Sequence, residues 1–300
     1  MFRKLLLLGC ALGSASFALS AQARTLDPSK PEDAIDISKR TQCGIGDAPA
    51  IMHWSGKVYS RVMGEPDRHL FDGEGMNIRR CVTVTDPQRG TGYRLISREV
   101  MFFTDIKTGE IIRKWTNPWT DETVDVVQIA NDPVNQRPSF ARTADGKPGP
   151  GMRISKIGEW ALMPLEVPLF YTNPLAGDYQ EYVGNKYHAM EIFDFAVRSE
   201  ELLDTKYPTA YPMVSWVRIS DWMPWMKMRG RQGQLVFNAM GAKVKSYEEV
   251  PAVIRNEVAA NYPEYASPPP ADDMRPNETT WTVFKKLIDE QRETQGTEKK

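Results

Sequence analysis

GEGMNIRRCVTVT (Gly73 to Thr85), YRLISREVMFFTD (Tyr93 to Asp105), a turn at KTGE (Lys107 to Glu110), IIRKWTNPWTDETVDVVQIA (Ile111 to Ala130) and NDPVN (Asn131 to Asn135) decide the fold class. Short runs rich in β-branched and aromatic residues, punctuated by Asp-Pro, Thr-Gly and Asn-Pro, read as an antiparallel meander. Outward from it, strand-like runs recur at Met52 to Val62, Ile154 to Val167, Tyr187 to Val197, Tyr211 to Ile219 and Gln234 to Asn238. With no long helix between them, they predict a mostly β fold rather than parallel βαβ units. The expected architecture is a closed, calycin-like antiparallel barrel over residues 47–245, its interior large enough for one small ligand.

The ends of the chain differ from this body. Residues 24–46 read as an N-terminal extension with a short helix through PEDAIDISKR. Residues 246–292 predict two helices packed across the barrel as a lid or end plug. The first opens on the capping box Ser246-Tyr247-Glu248-Glu249. The second starts near Thr279 or Thr280 and carries Trp281, Phe284, Leu287 and Ile288 on one face, with Ser267-Pro268-Pro269-Pro270 breaking the chain between the two. Residues 293–300 are expected to be a disordered tail.

A hydrophobic share of 41% and a charged share of 26% describe an ordinary globular protein. With 38 basic against 39 acidic residues there is no basic excess to drive nucleic-acid binding. No apolar run is long enough to span a bilayer. The first residues read as an export signal: Arg3 and Lys4, an apolar region from Leu5 to Leu19, and the small-residue cleavage site Ala21-Gln22-Ala23. A lipoprotein reading of Leu7-Leu8-Gly9-Cys10 fits less well, because the apolar run continues past Cys10. The expected location is a bacterial periplasm, with residues 1–23 removed. Cys43 and Cys81 then remain, either bridged or packed as free thiols, and the spacing leaves both open.

Period-two alternation turns charges toward apolar rows. Met76, Ile78, Arg80, Val82 and Val84 share one face. Tyr93, Leu95, Ser97, Glu99, Met101 and Phe103 share another, as do Tyr187, Ala189, Glu191, Phe193, Phe195 and Val197. Arg80, Glu99 and Glu191 are therefore expected to meet in one interior. There they form either a register-fixing salt bridge or a site where a carboxylate of raised pKa moves a proton while an arginine steadies an oxyanion. Ser220-Asp221-Trp222-Met223-Pro224-Trp225-Met226-Lys227-Met228 offers an adaptable apolar surface, either a wall for a flat ligand or a core-capping loop. Trp216 and Arg218 share a face nearby and suit a ligand carboxylate or a cation–π pair. His53, His69 and His188 have no metal-ligand spacing, so a catalytic zinc is not expected, while His53 beside Trp54 is a candidate general base. No GxSxG, P-loop, GxGxxG or CxxCH motif occurs, and no cofactor is expected. Asn131 to Asn135 reads as a polar turn.

These residues also carry a resemblance. Met52-His53-Trp54, Glu74-Gly75-Met76-Asn77-Ile78-Arg79, Ser97-Arg98-Glu99, Thr108-Gly109-Glu110 and Trp115-Thr116-Asn117-Pro118 resemble the family catalogued as domain of unknown function 1838. Asn131-Asp132-Pro133-Val134-Asn135, Trp222-Met223-Pro224-Trp225-Met226 and Trp281-Thr282-Val283-Phe284 extend the resemblance over most of the chain. It implies export from a bacterial cell. It also implies a link to bacterial breakdown of lignin-derived aromatics, including loss of a hydroxymethyl group as formaldehyde.

Three functional readings follow. The first is a cofactor-independent lyase or isomerase acting on a small apolar or aromatic molecule. Glu99 would be its acid or base, Glu191 or His53 a second proton carrier, and Arg80 an oxyanion stabiliser. Trp54, Trp216, Arg218, Trp222, Trp225, Met226 and Asn117 would contact the ligand. The second is a carrier or sensor using the same interior. The third is an envelope interaction protein whose charges are only a salt bridge.

Overall fold

The computed structural model describes residues 23–177, 179, 184–228 and 230–298. All of the expected export signal except Ala23 lies outside the described residues. A long hairpin dominates the fold: β3 (Gly90–Thr104) pairs along its whole length with Asp72 to Asp86 of β2 (Arg68–Asp86). β1 (Ala50–Arg61) flanks β2. β4 (Lys114–Thr116) and β5 (Thr123–Asp125) form a small separate ribbon. The chain returns to the main sheet as β6 (Ile129–Asn131), then β7 (Ser155–Ile157), β8 (Trp160–Thr172), β9 (Lys186–Arg198), the short helix α2 (Ser199–Leu203), β10 (Met213–Ser220) and β11 (Gln234–Val244). The nine strands run in the order β6-β3-β2-β1-β11-β10-β9-β8-β7, all neighbours antiparallel.

The meander expectation holds, but the barrel does not close. β6 and β7, each three residues long, form the two edges and pair only with β3 and β8. β8 carries the chemical reason. Beyond Leu162 its outer side has no strand partner, and Pro164 and Pro168 lack the N–H groups that a closing ladder needs there. The sheet nonetheless curls far enough that residues of β3 and β8 line one cavity.

Both faces are covered. On the convex face, α3 (Ala252–Asn261) packs Ile254 and Val258 against Ile51, Met76, Ile78, Val100 and Phe102. The capping box at Ser246 does not open this helix. Tyr247–Glu249 makes a single 3₁₀ turn and the α-helix begins after Pro251, which has no N–H for an intrahelical bond. On the concave face, α4 (Thr280–Glu298) inserts Trp281 against Tyr187, ring centroids 4.4 Å apart. It continues to Glu298, through much of the segment expected to be a disordered tail.

The N-terminal extension contains α1 (Pro31–Gln42), with proline, Glu32 and Asp33 in its first turn and Lys39 and Arg40 in its last, an order that complements the helix dipole. Cys43, just past its end, is disulfide-bonded to Cys81 on β2, the Cα atoms 5.6 Å apart. That bridge ties α1 to the sheet beside Tyr93 and Leu95.

Candidate functional site

The concave side is divided in two. One half is solid: Phe71, Phe103, Trp225, Trp222, Phe237 and Trp281 are buried there with the ribbon residue Trp115 packed against them. The other half, under the end of α1, holds a cavity of about 390 Å³. This size lies within the usual range for small-molecule sites. Arg218 stands at the division, its guanidinium 5.8 Å from the ring centres of both Phe237 and Trp281.

Strand register explains the lining. Residues paired across an antiparallel ladder point to the same face. Glu99 pairs with Asn77 and Asn131, Trp54 with Gly75 and Gly241, Trp216 with Phe193, and Arg218 with Glu191. Glycines make the room. A Cβ on Gly75 would lie 2.1 Å from the Trp54 indole, and one on Gly73 would lie 2.2 Å from the Met101 methyl. The two tryptophans meet edge to face at 6.1 Å, and Phe193 stacks on Trp216 at 6.4 Å, forming the aromatic end of the cavity.

Four charged side chains line the cavity: Arg79, Glu99, Glu191 and Arg218. Glu191 Oε1 lies 3.7 Å from Arg218 Nη1, and Arg218 also donates to the Tyr187 hydroxyl. Burial works against the Arg218 guanidinium, yet Tyr187, Glu191 and Glu99 leave it above its ordinary value. Glu99 makes no direct ion pair with any described residue. Its Oε1 accepts a 2.8 Å hydrogen bond from Asn131 Nδ2. Burial pushes the Glu99 carboxyl above its usual range and the charge of Glu191 adds to this, against the Asn131 bond and the positive charges of Arg218 and Arg79. Because Asn131 occupies Oε1, a proton on Glu99 belongs on Oε2.

Glu99, Glu191, Trp54, Trp216 and Arg218 thus share one cavity, as their strand patterns lead one to expect. Arg80 does not join them. It pairs with Ile96 on the convex side, and Arg79 occupies the concave position instead. The row read as the interior face of β2, Met76 and Ile78, is apolar because α3 covers it. His53 shares that convex parity, paired with Met76, and its Nε2 lies 2.9 Å from Glu74 Oε2, away from the cavity.

Trp222, Trp225 and Met226 are 7%, 2% and 0% exposed and belong to the solid half. The loop is a core plug and not a ligand wall, because the curled sheet has a volume there that only large side chains fill. Asn117 fastens that plug: fully buried, its Nδ2 donates to the Met226 carbonyl (2.9 Å) and its Oδ1 accepts from the Trp119 N–H (2.9 Å).

The cavity residues Gln42, Arg79 and Asn135, and Asn131 beside Glu99, escape a reading of the strands alone. Arg79 Nε donates to Asn77 Oδ1 (2.6 Å), and its Nη1 donates to Gln42 Oε1 from the last turn of α1. Asn131 and Asn135, read as turn chemistry, hold Glu99 and the Ser97 N–H respectively. The available signal was the parity of Cys81, which shares the concave row with Arg79 and reaches α1 through the disulfide.

A model of the family described as "Protein of unknown function (DUF1838)" matches residues 47–288, and the chain belongs to that family. No curated protein matches the chain. Among solved structures the chain is similar to DynF from the dynemicin biosynthesis pathway of Micromonospora chersina, at 10% identity over 75% of this chain and 85% of that chain, with a TM-score of 0.24. A likeness this slight carries no statement about function.

Proposed function

We infer that this member of a family without an assigned activity is an exported, cofactor-independent enzyme that moves protons on a small apolar or aromatic molecule. One observation carries the reading. Two glutamates line the same aromatic-walled cavity in contrasting surroundings, Glu99 without a direct ion pair and Glu191 beside Arg218. Two carboxyl groups in one site, one of them raised by burial, can serve as acid and base. Glu99, raised by burial and with Oε2 left to carry the proton, is the acid. Glu191, 3.7 Å from the Arg218 guanidinium, takes the place of the base, and Arg218 steadies negative charge as it develops.

The pair suits an elimination with carbon–carbon cleavage, of which loss of a hydroxymethyl group from a lignin-type aromatic is one case. Glu191 takes the proton of the hydroxymethyl oxygen, and the carbon–carbon bond breaks to release formaldehyde. Its electron pair forms a double bond to the neighbouring carbon, whose hydroxyl leaves with the Glu99 proton as water. Export is supported by the charged and apolar start of the chain and by the Cys43–Cys81 bridge, since such bridges persist in oxidising compartments.

The test is mass spectrometry of a pool of lignin-type aromatics incubated with catalytic amounts of protein. Consumption far beyond the protein concentration is expected, reduced about 10²- to 10⁴-fold in Glu99→Gln and in Glu191→Gln. Turnover untouched by both substitutions refutes the assignment. Depletion only in proportion to protein makes the molecule a carrier.

A further inference from the structure

We propose that the cavity takes a monoanionic ligand, a flat aromatic or aryl-aliphatic acid whose carboxylate pairs with Arg79. The proposal rests on the reading that this cavity is the working site and adds the class of molecule that fills it. Arg79 is a cavity-lining guanidinium that makes no direct ion pair among the described residues. Its Nε and Nη1 are fixed by the neutral acceptors Asn77 Oδ1 and Gln42 Oε1, which leaves Nη2 without an acceptor among the described residues. Neutral partners orient a guanidinium without neutralising it, so a planar two-oxygen anion is its natural complement.

Charge counting agrees. The cavity holds two arginines and two glutamates. Glu191 lies beside Arg218, and that guanidinium is further engaged by the Tyr187 hydroxyl and two aromatic rings. Burial favours the protonated form of Glu99 and Asn131 holds its Oε1, so Arg79 is the cavity guanidinium left without an ion-pair partner among the described residues. Two further basic residues lie near it, buried Lys243 and half-buried Arg40, and burial followed by the charges of Arg79 and Arg40 draws the Lys243 ammonium down to about 7. Burial itself draws the Arg79 guanidinium down to about 10, as expected of a cation lacking a counter-ion. A dianion would need a second unmatched cation, and the cavity lining offers none.

The rest of the ligand follows from geometry. Arg79 and Glu99 are diagonal neighbours on β2 and β3, since Arg79 pairs with Ser97 and Glu99 with Asn77. Such diagonals lie roughly 7 Å apart. A carboxylate on Arg79 therefore sets an atom about one ring away beside Glu99, with the faces of Trp54, Trp216 and Phe193 available to the apolar body.

The experiment compares biphenyl-4-carboxylate with neutral, near-isosteric biphenyl-4-carboxamide by quenching of tryptophan fluorescence at pH 7. The wild-type protein should bind the carboxylate about tenfold more tightly or better, equivalent to about 1.4 kcal/mol. Arg79→Met should bring the two affinities together, and Glu99→Gln should leave the preference intact. Equal wild-type affinities, binding of neither probe, or an unchanged preference in Arg79→Met overturns the proposal. Should Arg79→Met not fold, the wild-type comparison alone still refutes or supports it. The two readings fail separately. Turnover that survives Glu99→Gln removes the proton-transfer assignment and leaves the anion preference standing, whereas loss of the preference in Glu99→Gln puts the anion site elsewhere.

Discussion

Removing the Cys43–Cys81 bridge perturbs stability and cavity through one short segment. The bridge closes a loop with a sequence separation of 38 residues. Freeing a loop of that length returns roughly 13 cal/mol/K of chain entropy to the unfolded state, about 4 kcal/mol at 25 °C. For a chain of this size that corresponds to a fall in Tm of roughly 8–16 °C. α1 should nevertheless remain docked in Cys43→Ser/Cys81→Ser. Ile37 is buried with Leu26, Leu202 and Leu203, the Arg40 guanidinium donates to the carbonyls of Glu201 and Asp204 (both 2.7 Å), and Lys243 Nζ reaches the carbonyls of Arg40 (3.0 Å) and Cys43. The folded variant should therefore keep the wild-type far-ultraviolet spectrum. Its cavity should loosen, because Gln42, which fixes Arg79, immediately precedes the lost anchor. Urea unfolding followed by tryptophan fluorescence gives the magnitude, provided the slope m is shared between the two proteins. A difference below about 1 kcal/mol with equal slopes would refute the reasoning, since a formed bridge over this loop cannot be worth so little unless the unfolded chain is already constrained there.

Gly75→Ala places a Cβ 2.1 Å from a Trp54 ring carbon, so a loss of about 1–3 kcal/mol and weaker probe binding are expected, and an unchanged melting temperature with unchanged affinity would contradict the packing described. Glu99→Gln should remove one component of the pH dependence of stability. A carboxyl raised above its ordinary 4.5 lets the wild type lose stability as pH climbs through the raised value, whereas the amide does not titrate. The variant should therefore melt higher than wild type at pH 8 and converge with it near pH 4.5, and parallel melting curves across that range would exclude a strained Glu99 carboxylate. Asn117→Ala removes the side-chain partners of the Met226 carbonyl and the Trp119 N–H, for an expected loss of about 1–3 kcal/mol with probe affinity unaltered; weakened binding at unchanged stability would return Asn117 to the ligand.

Where one parity of a strand formed a long apolar row broken by a single charge, as in β3 around Glu99 and β9 around Glu191, alternation identified the cavity-facing side. In β2 the rule misled because both faces are covered. The apolar row of Met76 and Ile78 faces α3, while the concave row reads Gly73, Gly75, Asn77, Arg79, Cys81 and looks solvent-facing. Its glycines are blank only because Trp54 and Met101 from neighbouring strands occupy their space, an arrangement that exists only once the strands are in register. The open edge was legible in Pro164 and Pro168, since proline in a long strand marks a side without a partner. Whether Trp222 and Trp225 fill a core or face a ligand was not legible. Composition is the same in both cases, and the outcome depends on how far the sheet curls. The capping box failed for a local reason, Pro251 falling where the helix would have needed a donor.

The remaining rival is that the charges form only a structural salt bridge, and the geometry weighs against it. A buried ion pair offsets the desolvation of its members only with close, multiply hydrogen-bonded contact. Glu191 and Arg218 stand 3.7 Å apart, longer than a charge-assisted hydrogen bond. Glu99 and Arg79, diagonal on adjacent strands and opposite in charge, are each held by neutral amides and make no direct ion pair with each other. A sheet selected for stability alone would close that diagonal into a contact or replace both residues with aliphatic ones, as α3 and the convex face show it can. Instead the amides hold an acid and a cation apart at the lining of a cavity of about 390 Å³. Such an arrangement lowers the stability of the free protein, and it becomes favourable once a molecule brings a negative group to Arg79 and a basic oxygen to Glu99.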